Sequence, residues 1–470
     1  MAKNQIKNKK QARIFKIAKE STSEAEENIA KKPTWTHLLK YTIPTILSIL
    51  AMNTLGIVDG IFVSRLIDPI ALSAVNIVFP LMSFVQAFGF MMGVGGNALV
   101  AKRIGEGRVN EGRENFSLIT LVSLIGAIAI TIIAIFFPDF ILNILGVDDY
   151  IRPMATEYMK PMLYFLPAAV LGMVFQQFLI TAGKAHYSAI MSFVGGGLSA
   201  GLNYVLIYFF DMGISGAAIA TGVGWILPAV VGLIYFTFNR NSIVHFVRPK
   251  LDLSALGRSC INGASEMVTM LSISITTVLM NNILMGLSDG GAMAVGASAI
   301  MFGIMQIFVA LFIGYSSGVI PIISYNYGKG DTNNLKLSYK NSLRLIGILS
   351  VIATALAFLT VDLTISIYGI PVDTPMHDMA RTGLMFLASG FIFMGFNSFG
   401  SMFFTALNNG VVSSVIALFN TLIFVIITLF TLPTLFGLIG AWTAIPAAEV
   451  LSIIMTVIFF KVMKKKYSYA

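Results

Sequence analysis

Cysteine, histidine and charge are scarce in this chain, and each scarcity closes off a class of chemistry. A single cysteine, Cys260, leaves no intrachain disulfide and no cysteine-rich metal site. The four histidines, His37, His186, His245 and His377, stand at the edges of apolar runs or between them, and no HExxH or GxSxG spacing occurs. Zinc hydrolysis and the serine nucleophile elbow are therefore out of reach. Two glycine-rich stretches, RIGEGRVNEG and NYGKGDTNN, lack the GxxxxGK[ST] spacing of a phosphate loop, so no ATP site is expected. No cofactor or resident metal is expected either. Charged residues make up only 11% of the chain, against about 25% in a soluble domain. That is too little to cover a water-facing surface.

What is abundant is hydrocarbon, at 56% of residues. Reading for apolar runs of about 20 residues, the length that crosses a bilayer, gives twelve spans. The first six are 38–62, 70–100, 116–137, 160–182, 188–210 and 213–238; the second six are 261–286, 293–325, 343–363, 382–406, 411–431 and 437–461. The expected fold class is thus an all-α membrane protein in the lipid bilayer.

The two sets of six are copies. Ala71 to Gly107 aligns with Ala294 to Gly330 at a constant offset of 223 without a gap, and nine of 37 positions are identical, among them Met82, Gly95, Gly105 and Gly107. A later stretch keeps nearly the same register at offset 224, pairing Thr181-Ala182 with Thr405-Ala406 and Gly216 with Gly440. Six spans is an even number, so both repeats enter the membrane in the same direction and are parallel. Duplicated halves that rock against each other around a shared site are a transporter architecture.

Charge sets the orientation. If both termini share one side, only Arg65, Arg152, Lys160 and Arg381 of the 31 Lys and Arg lie away from it, leaving 27 on the terminal side. Under the positive-inside rule both termini are cytoplasmic. The net charge of +9 is then a matter of topology and implies no nucleic-acid partner. Residues 1–35 are basic, then acidic, without an apolar core of signal-peptide length, and are expected to remain as a partly helical tail at the inner membrane face. Residues 36–238 form the first half. Residues 239–260 read as a cytoplasmic linker with a surface helix over LDLSALG, and 261–470 form the second half.

Three acids sit within the spans, where each costs about 2.5 to 3.5 kcal/mol at mid-membrane and so needs a reason. Asp59 lies in span 1, beyond a bend expected at Pro44 and toward the outer end; if the span ends early it is merely interfacial. Glu266 in span 7 is nearer the cytoplasmic end, where snorkelling or helix-entry duty rivals a functional role. Glu449 lies near the middle of span 12, three residues after Pro446, and its structural alternative is to lock Trp442 or the proline kink. Met173, Phe175, Gln176, Gln177 and Gln306 are candidates for lining a central cavity.

At these positions the chain resembles the multidrug and toxic compound extrusion (MATE) transporters, especially the Gram-positive multidrug pumps. The matching pieces are IPTILSILAMNTLGIVDGIFV in span 1, the GGNALVAKRIGEGR and PIISYNYGKG span ends, NGASE in span 7 and GAWTAIPAAEVL in span 12. The resemblance covers about Thr36 to Lys465. It implies an N-lobe of spans 1–6 and a C-lobe of spans 7–12 around a cavity that opens alternately to either side of a bacterial cytoplasmic membrane.

It also implies cation-coupled export. Family members with an N-lobe cation site combine the span 1 Asp with an Asn and an Asp four residues apart in span 5 and a Thr in span 6. Here Asp59, Asn203 and Thr221 match, but Ile207 stands where the second Asp would be. A dehydrated Na+ wants several oxygen ligands and compensating charge, whereas a proton on Asp59 needs no cage. Proton coupling is therefore favoured over Na+, although a cage completed by backbone carbonyls or water stays open. The 36 Phe and 25 Met suit hydrophobic organic cations as substrates. The alternative is a flippase or exporter of lipid-linked or natural metabolites, which for a pyrophosphate would need several Arg or Lys in the spans; the span interiors hold none. An intramembrane enzyme is a distant third. The oligomeric state is left open, and a monomer is compatible with the reading.

Overall fold

The computed structural model describes residues 26–470 apart from positions 68, 146, 148, 149, 288–290 and 369; at 55–62, 64–66, 69–73, 76 and 292 the backbone is described and the side chains are not. Among the described residues there is no strand. The first half runs α1 (Trp35–Leu66), α2 (Pro69–Gly105), α3 (Val109–Phe136), α4 (Pro138–Ile144), α5 (Arg152–Leu163), α6 (Leu166–Thr181), α7 (Ala185–Tyr204) and α8 (Gly213–Phe238). The second runs α9 (Leu253–Gly286), α10 (Ala292–Lys329), α11 (Thr332–Leu359), α12 (Val361–Ile367), α13 (Pro375–Ala406), α14 (Gly410–Leu418) and α15 (Phe424–Tyr467).

Nine of the described helical stretches are long and apolar enough to cross a membrane, and the bent pair α5–α6 makes a tenth. The stretch Gly410–Tyr467 is itself two spans, because Gly437 breaks the helix at φ 56°, ψ −134°. With α1, 32 residues long, the count reaches the twelve expected. Large apolar side chains such as Ile125, Ile132, Ile133 and Phe136 on α3 are exposed, a surface suited to lipid rather than water.

The repeat is visible in element lengths and in turns. Helices α3 and α11 are both 28 residues long, and the short α4 and α12 that follow them are both 7. The turns after α2 and α10 place Gly107 and Gly330 at φ 76° and 72°; those entering spans 6 and 12 place Gly213 and Gly437 at 53° and 56°. Each pair needs a left-handed backbone, which glycine adopts without steric cost. That accounts for why Gly107 is among the positions identical between the copies.

One expectation changes. The LDLSALG run is not a separate surface helix: Asp252 caps α9 by accepting a 2.9 Å bond from the Ala255 amide, and the helix continues to Gly286. The segment before it docks on the first half. Arg113 Nε donates to the Ile243 carbonyl at 2.9 Å, the Val247 amide donates to Ser117 Oγ at 3.0 Å, and Phe246 packs among Phe116, Phe175 and Phe236.

The halves meet along a seam at the terminal end, where α1 begins and α15 finishes. A Cβ placed on Gly263 of α9 would lie 1.9 Å from the Met91 carbonyl oxygen of α2, and one on Gly95 of α2 would lie 2.0 Å from the Ser259 carbonyl oxygen of α9. Gly105 and Gly328, repeat equivalents, do the same between α2 and α10, at 2.1 Å from Tyr325 O and 2.2 Å from Lys102 O. Gly314 and Gly318 of α10 press on Ile46 and Thr42 of α1. At Gly95, Gly105, Gly263, Gly314 and Gly328 an added Cβ would overlap the neighbouring backbone, so glycine is required for the close approach. Polar bonds cross the same seam: Ser317 Oγ donates to Gln177 Oε1 at 2.9 Å, and the Trp35 indole donates to Asn341 Oδ1 at 2.9 Å.

Candidate functional site

Beyond the seam, away from the termini, the helices diverge around a cavity of about 350 Å³. Its place follows from helical spacing. On α1, Thr42 and Ile46 belong to the seam, and Ile49, Met52 and Asn53, the next turn, line the cavity. On α10 the order runs the other way, from Gly318 and Gly314 in the seam to Ile313, Val309 and Gln306 in the wall. Most of the wall is first-half; the second half supplies Met270 and Ile273 from α9 and five residues of α10.

The bend of 55° between α5 and α6 shapes this wall. Pro161 closes α5 and Pro167 opens α6, and proline removes the amide that a continuous helix would need. Tyr158 and Met162 then face the cavity from one side of the bend, Met173 and Gln176 from the other.

The chemistry of the wall is soft and uncharged. Seven of its 30 residues are Met, against 25 in the 470 of the chain. Thioethers are flexible and polarisable, and they repack around ligands of varied shape. Among the described lining residues there is no Lys, Arg, His, Asp or Glu. The polar groups are hydroxyls and carboxamides, including Asn53, Gln86, Gln176, Gln306, Ser192 and Thr221.

The residues singled out in the sequence separate into groups. Met173, Gln176, Gln306 and Thr221 line the cavity. Phe175 does not: it is wholly buried, with its ring 5.7 Å from Phe236 and 6.1 Å from Phe246, because the docked linker covers that face of α6. Gln177 does not either; one residue further round the helix, it points into the seam and accepts from Ser317. Asn203 is fully buried at the end of α7, just before a π turn over Val205–Phe209 that widens the helix. Ile207 lies within that turn and is buried in the first-half core. Helix α1 runs uninterrupted through Pro44, and Asp59 lies within it, but the Asp59 side chain is outside the described residues.

The two remaining acids occupy different settings. Glu266, 2% exposed, lies on the face of α9 that carries Gly263 three residues before it and Met270 and Ile273 four and seven residues after. It therefore stands where the seam ends and the cavity begins. Its carboxyl has no hydrogen-bond or ion-pair partner among the described residues. Glu449 is away from the cavity. Asn397 Nδ2 of α13 donates to its Oε2 at 2.7 Å, and Thr456 Oγ1 donates to Asn397 Oδ1 at 3.0 Å, closing a buried chain between α13 and α15.

Sequence reading missed Asn53, Gln86, Trp225 and most of the methionines. One signal was present: Met82 and Met305 are identical between the repeats, and both line the cavity.

The MatE family model matches residues 44–205 and 266–431. Multidrug export protein MepA of Staphylococcus aureus (strain MRSA252) is 23% identical over 429 residues, covering 89% of this chain and 92% of that protein. MepA of Staphylococcus saprophyticus is 23% identical over 432 residues, covering 90% and 93%. Among solved structures, an outward-facing conformation of a multidrug resistance MATE family transporter of the MOP superfamily superposes with a TM-score of 0.88 at 19% identity, covering 94% of this chain and 98% of that one. A MATE structure in the bent conformation gives 0.85 at 20% identity, covering 95% and 100%.

Proposed function

The chain belongs to the MatE family of multidrug export transporters, and from that premise we propose that it is a cation-coupled antiporter expelling hydrophobic organic cations across a bacterial cytoplasmic membrane. The observation that carries this reading is the sequence of features along α9: a tight seam at Gly263, a buried carboxyl at Glu266 with no partner among the described residues, and a methionine-rich cavity from Met270 onward. With the termini cytoplasmic by the positive-inside rule, a seam closed at that end is the outward-facing arrangement.

Closure strips water from Glu266. A dry carboxylate with no partner costs several kcal/mol, so the closed seam favours the form whose charge is cancelled. A proton taken from the outer side does this; opening the seam to the cytoplasm wets the carboxyl and lets the proton leave. Glu266 thus links the two arrangements to the ion gradient, with Asp59 as the family-matched acid of the first half. Hydrophobic burial of Ile207 where a second span 5 carboxylate would stand supports proton over Na+, since Na+ would lose both a ligand and a charge. Glu449, satisfied by Asn397, is assigned a structural role.

The lack of basic residues among the described lining residues disfavours a lipid pyrophosphate. Counterflow of ethidium-type cations in proteoliposomes, with proton and Na+ gradients imposed separately, tests the proposal. Flux driven by a pH gradient in the absence of Na+ is expected; strict Na+ dependence would overturn proton coupling, and no flux under either gradient would overturn the export reading.

A further inference from the structure

Resting on the export reading, the hydrogen-bonding inventory of the cavity narrows the substrate class. Three of its glutamines, Gln86, Gln176 and Gln306, come from α2, α6 and α10 and have no hydrogen-bond partner among the described residues, and Gln176 is only 7% exposed. A carboxamide left unbonded beside apolar walls costs free energy until a ligand or water bonds it. Asn53 narrows the choice. One N–H of its Nδ2 donates to the Ile49 carbonyl at 3.0 Å, which anchors the side chain and leaves Oδ1 as an acceptor for a ligand. Thr221 Oγ1 donates to the Ala217 carbonyl of its own helix at 3.1 Å, and Ser192 Oγ is engaged by the Ser188 carbonyl at 3.1 Å and by Ser48 Oγ at 2.8 Å. The carboxamide oxygens of Asn53, Gln86, Gln176 and Gln306 are therefore left to accept from a ligand.

We infer that the cavity contains a head-group subsite for ammonium ions that carry N–H, and that Asn53, Gln176 and Gln306 determine this specificity. The apolar body of the substrate rests on the methionines while its N–H groups donate to carboxamide oxygens. A quaternary ammonium has the same charge and nearly the same shape but nothing to donate. Gln306 is the one second-half member of the set, so a substrate bonded to both Gln176 and Gln306 bridges the halves.

The test is a matched pair: a protonated aryl-alkyl tertiary amine and its N-methylated quaternary analogue, measured for equilibrium binding to the purified full chain and for efflux from proteoliposomes. An N–H ammonium is the more strongly hydrated of the two, so a cavity without acceptors would favour the quaternary member. With acceptors in place, the N–H member is expected to bind about tenfold more tightly, as for a hydrogen bond to a charged group. Gln176→Leu and Gln306→Leu should each bring that ratio toward one by weakening the N–H member, leaving the quaternary member within about twofold of the unmodified protein. A ratio at or below one in the unmodified protein overturns the subsite without needing any variant to fold. Equal weakening of both members by the substitutions overturns the assignment of the glutamines. Export stands if both compounds are moved but bind alike; it fails, with the subsite intact, if the N–H member binds preferentially and neither is moved.

Discussion

Span 4 and span 10 hold equivalent places in the two repeats, yet one is broken and the other is straight. In the first half, Pro161 and Pro167 divide the span into α5 and α6, which meet at 55°. At the offset of 224 kept by Thr181 and Thr405 at the end of this span, the second half has Met385 and Phe391, and α13 runs unbroken for 32 residues. The broken span opens a wall of the cavity. The straight one is cross-linked through Asn397 to Glu449 and Thr456, and through Ser401 and Thr405 to Ser413. Two copies of one unit have thus diverged into a half that supplies most of the cavity wall and a half whose equivalent span is cross-linked by buried polar bonds, and the divergence lies in a few proline and polar substitutions on a shared scaffold.

The comparison can be broken most severely at the seam both halves share. Gly263→Val should abolish efflux, because even its Cβ would overlap the Met91 carbonyl and keep the terminal end from closing. The native thiol Cys260, whose Sγ lies 3.8 Å from Met92 Sδ across the seam, should then react faster with maleimide in inside-out vesicles. Gly286→Val, where an added Cβ meets nothing within 4 Å, serves as the control, and equal losses in both would remove the seam from the mechanism.

The two buried glutamates sharpen the contrast next. Glu266→Gln should uncouple efflux from the pH gradient with little loss of folding. Glu449→Gln should keep gradient-driven efflux, and Asn397→Leu, which strips the Glu449 carboxyl of its donor, should lower stability by about 1 to 3 kcal/mol, measured by thermal unfolding. Loss of coupling in Glu449→Gln with normal coupling in Glu266→Gln would reverse the assignment.

A third variant makes the first half imitate the second. Replacing Pro161 by Met and Pro167 by Phe, as at the repeat-equivalent positions, should straighten span 4, narrow the cavity and weaken binding of bulky cations several-fold while raising thermal stability. Unchanged affinity would show that the bend does not shape the site.

The smallest effect concerns the linker that only the first half carries. His245 is buried with Nδ1 2.9 Å from the Ser242 carbonyl, and burial holds its pKa below the ordinary histidine value. Its neutral form is the one the docked linker accommodates. The linker's contribution is therefore complete above about pH 6.5 and declines as pH falls toward the lowered folded value. The melting temperature should drop modestly on acidification through that range, and His245→Gln should flatten the drop; an identical profile in the variant would clear His245 of the role.

The scaffold was legible because its signals are long. Twelve apolar runs and a gapless repeat of 37 positions each average over many residues. The site was legible only in part, since it depends on the rotation of single helices. Gln176 and Gln177 are neighbours about 100° apart on α6, and nothing in their sequence says which faces the cavity and which the seam. Phe175 was misplaced for a different reason: the linker that covers it through Phe246 comes from 71 positions away. The π turns after Tyr204 and Leu418 shift the helical register without any proline or glycine to announce them.

The glycine seam has a consequence for the membrane itself. Attraction between closely packed atoms fades over short distances, with a quarter to a half of it gone after a gap of about 0.5 to 1 Å. Backbones in direct contact, with no long side chains to stretch across a widening gap, therefore lose most of their hold in the first small movement. Such a seam is either shut or sprung, and a half-open posture is its least comfortable position. Under the ion coupling proposed above, a seam of this kind would not dribble ions between cycles, and the driving gradient would not drain while the transporter waits.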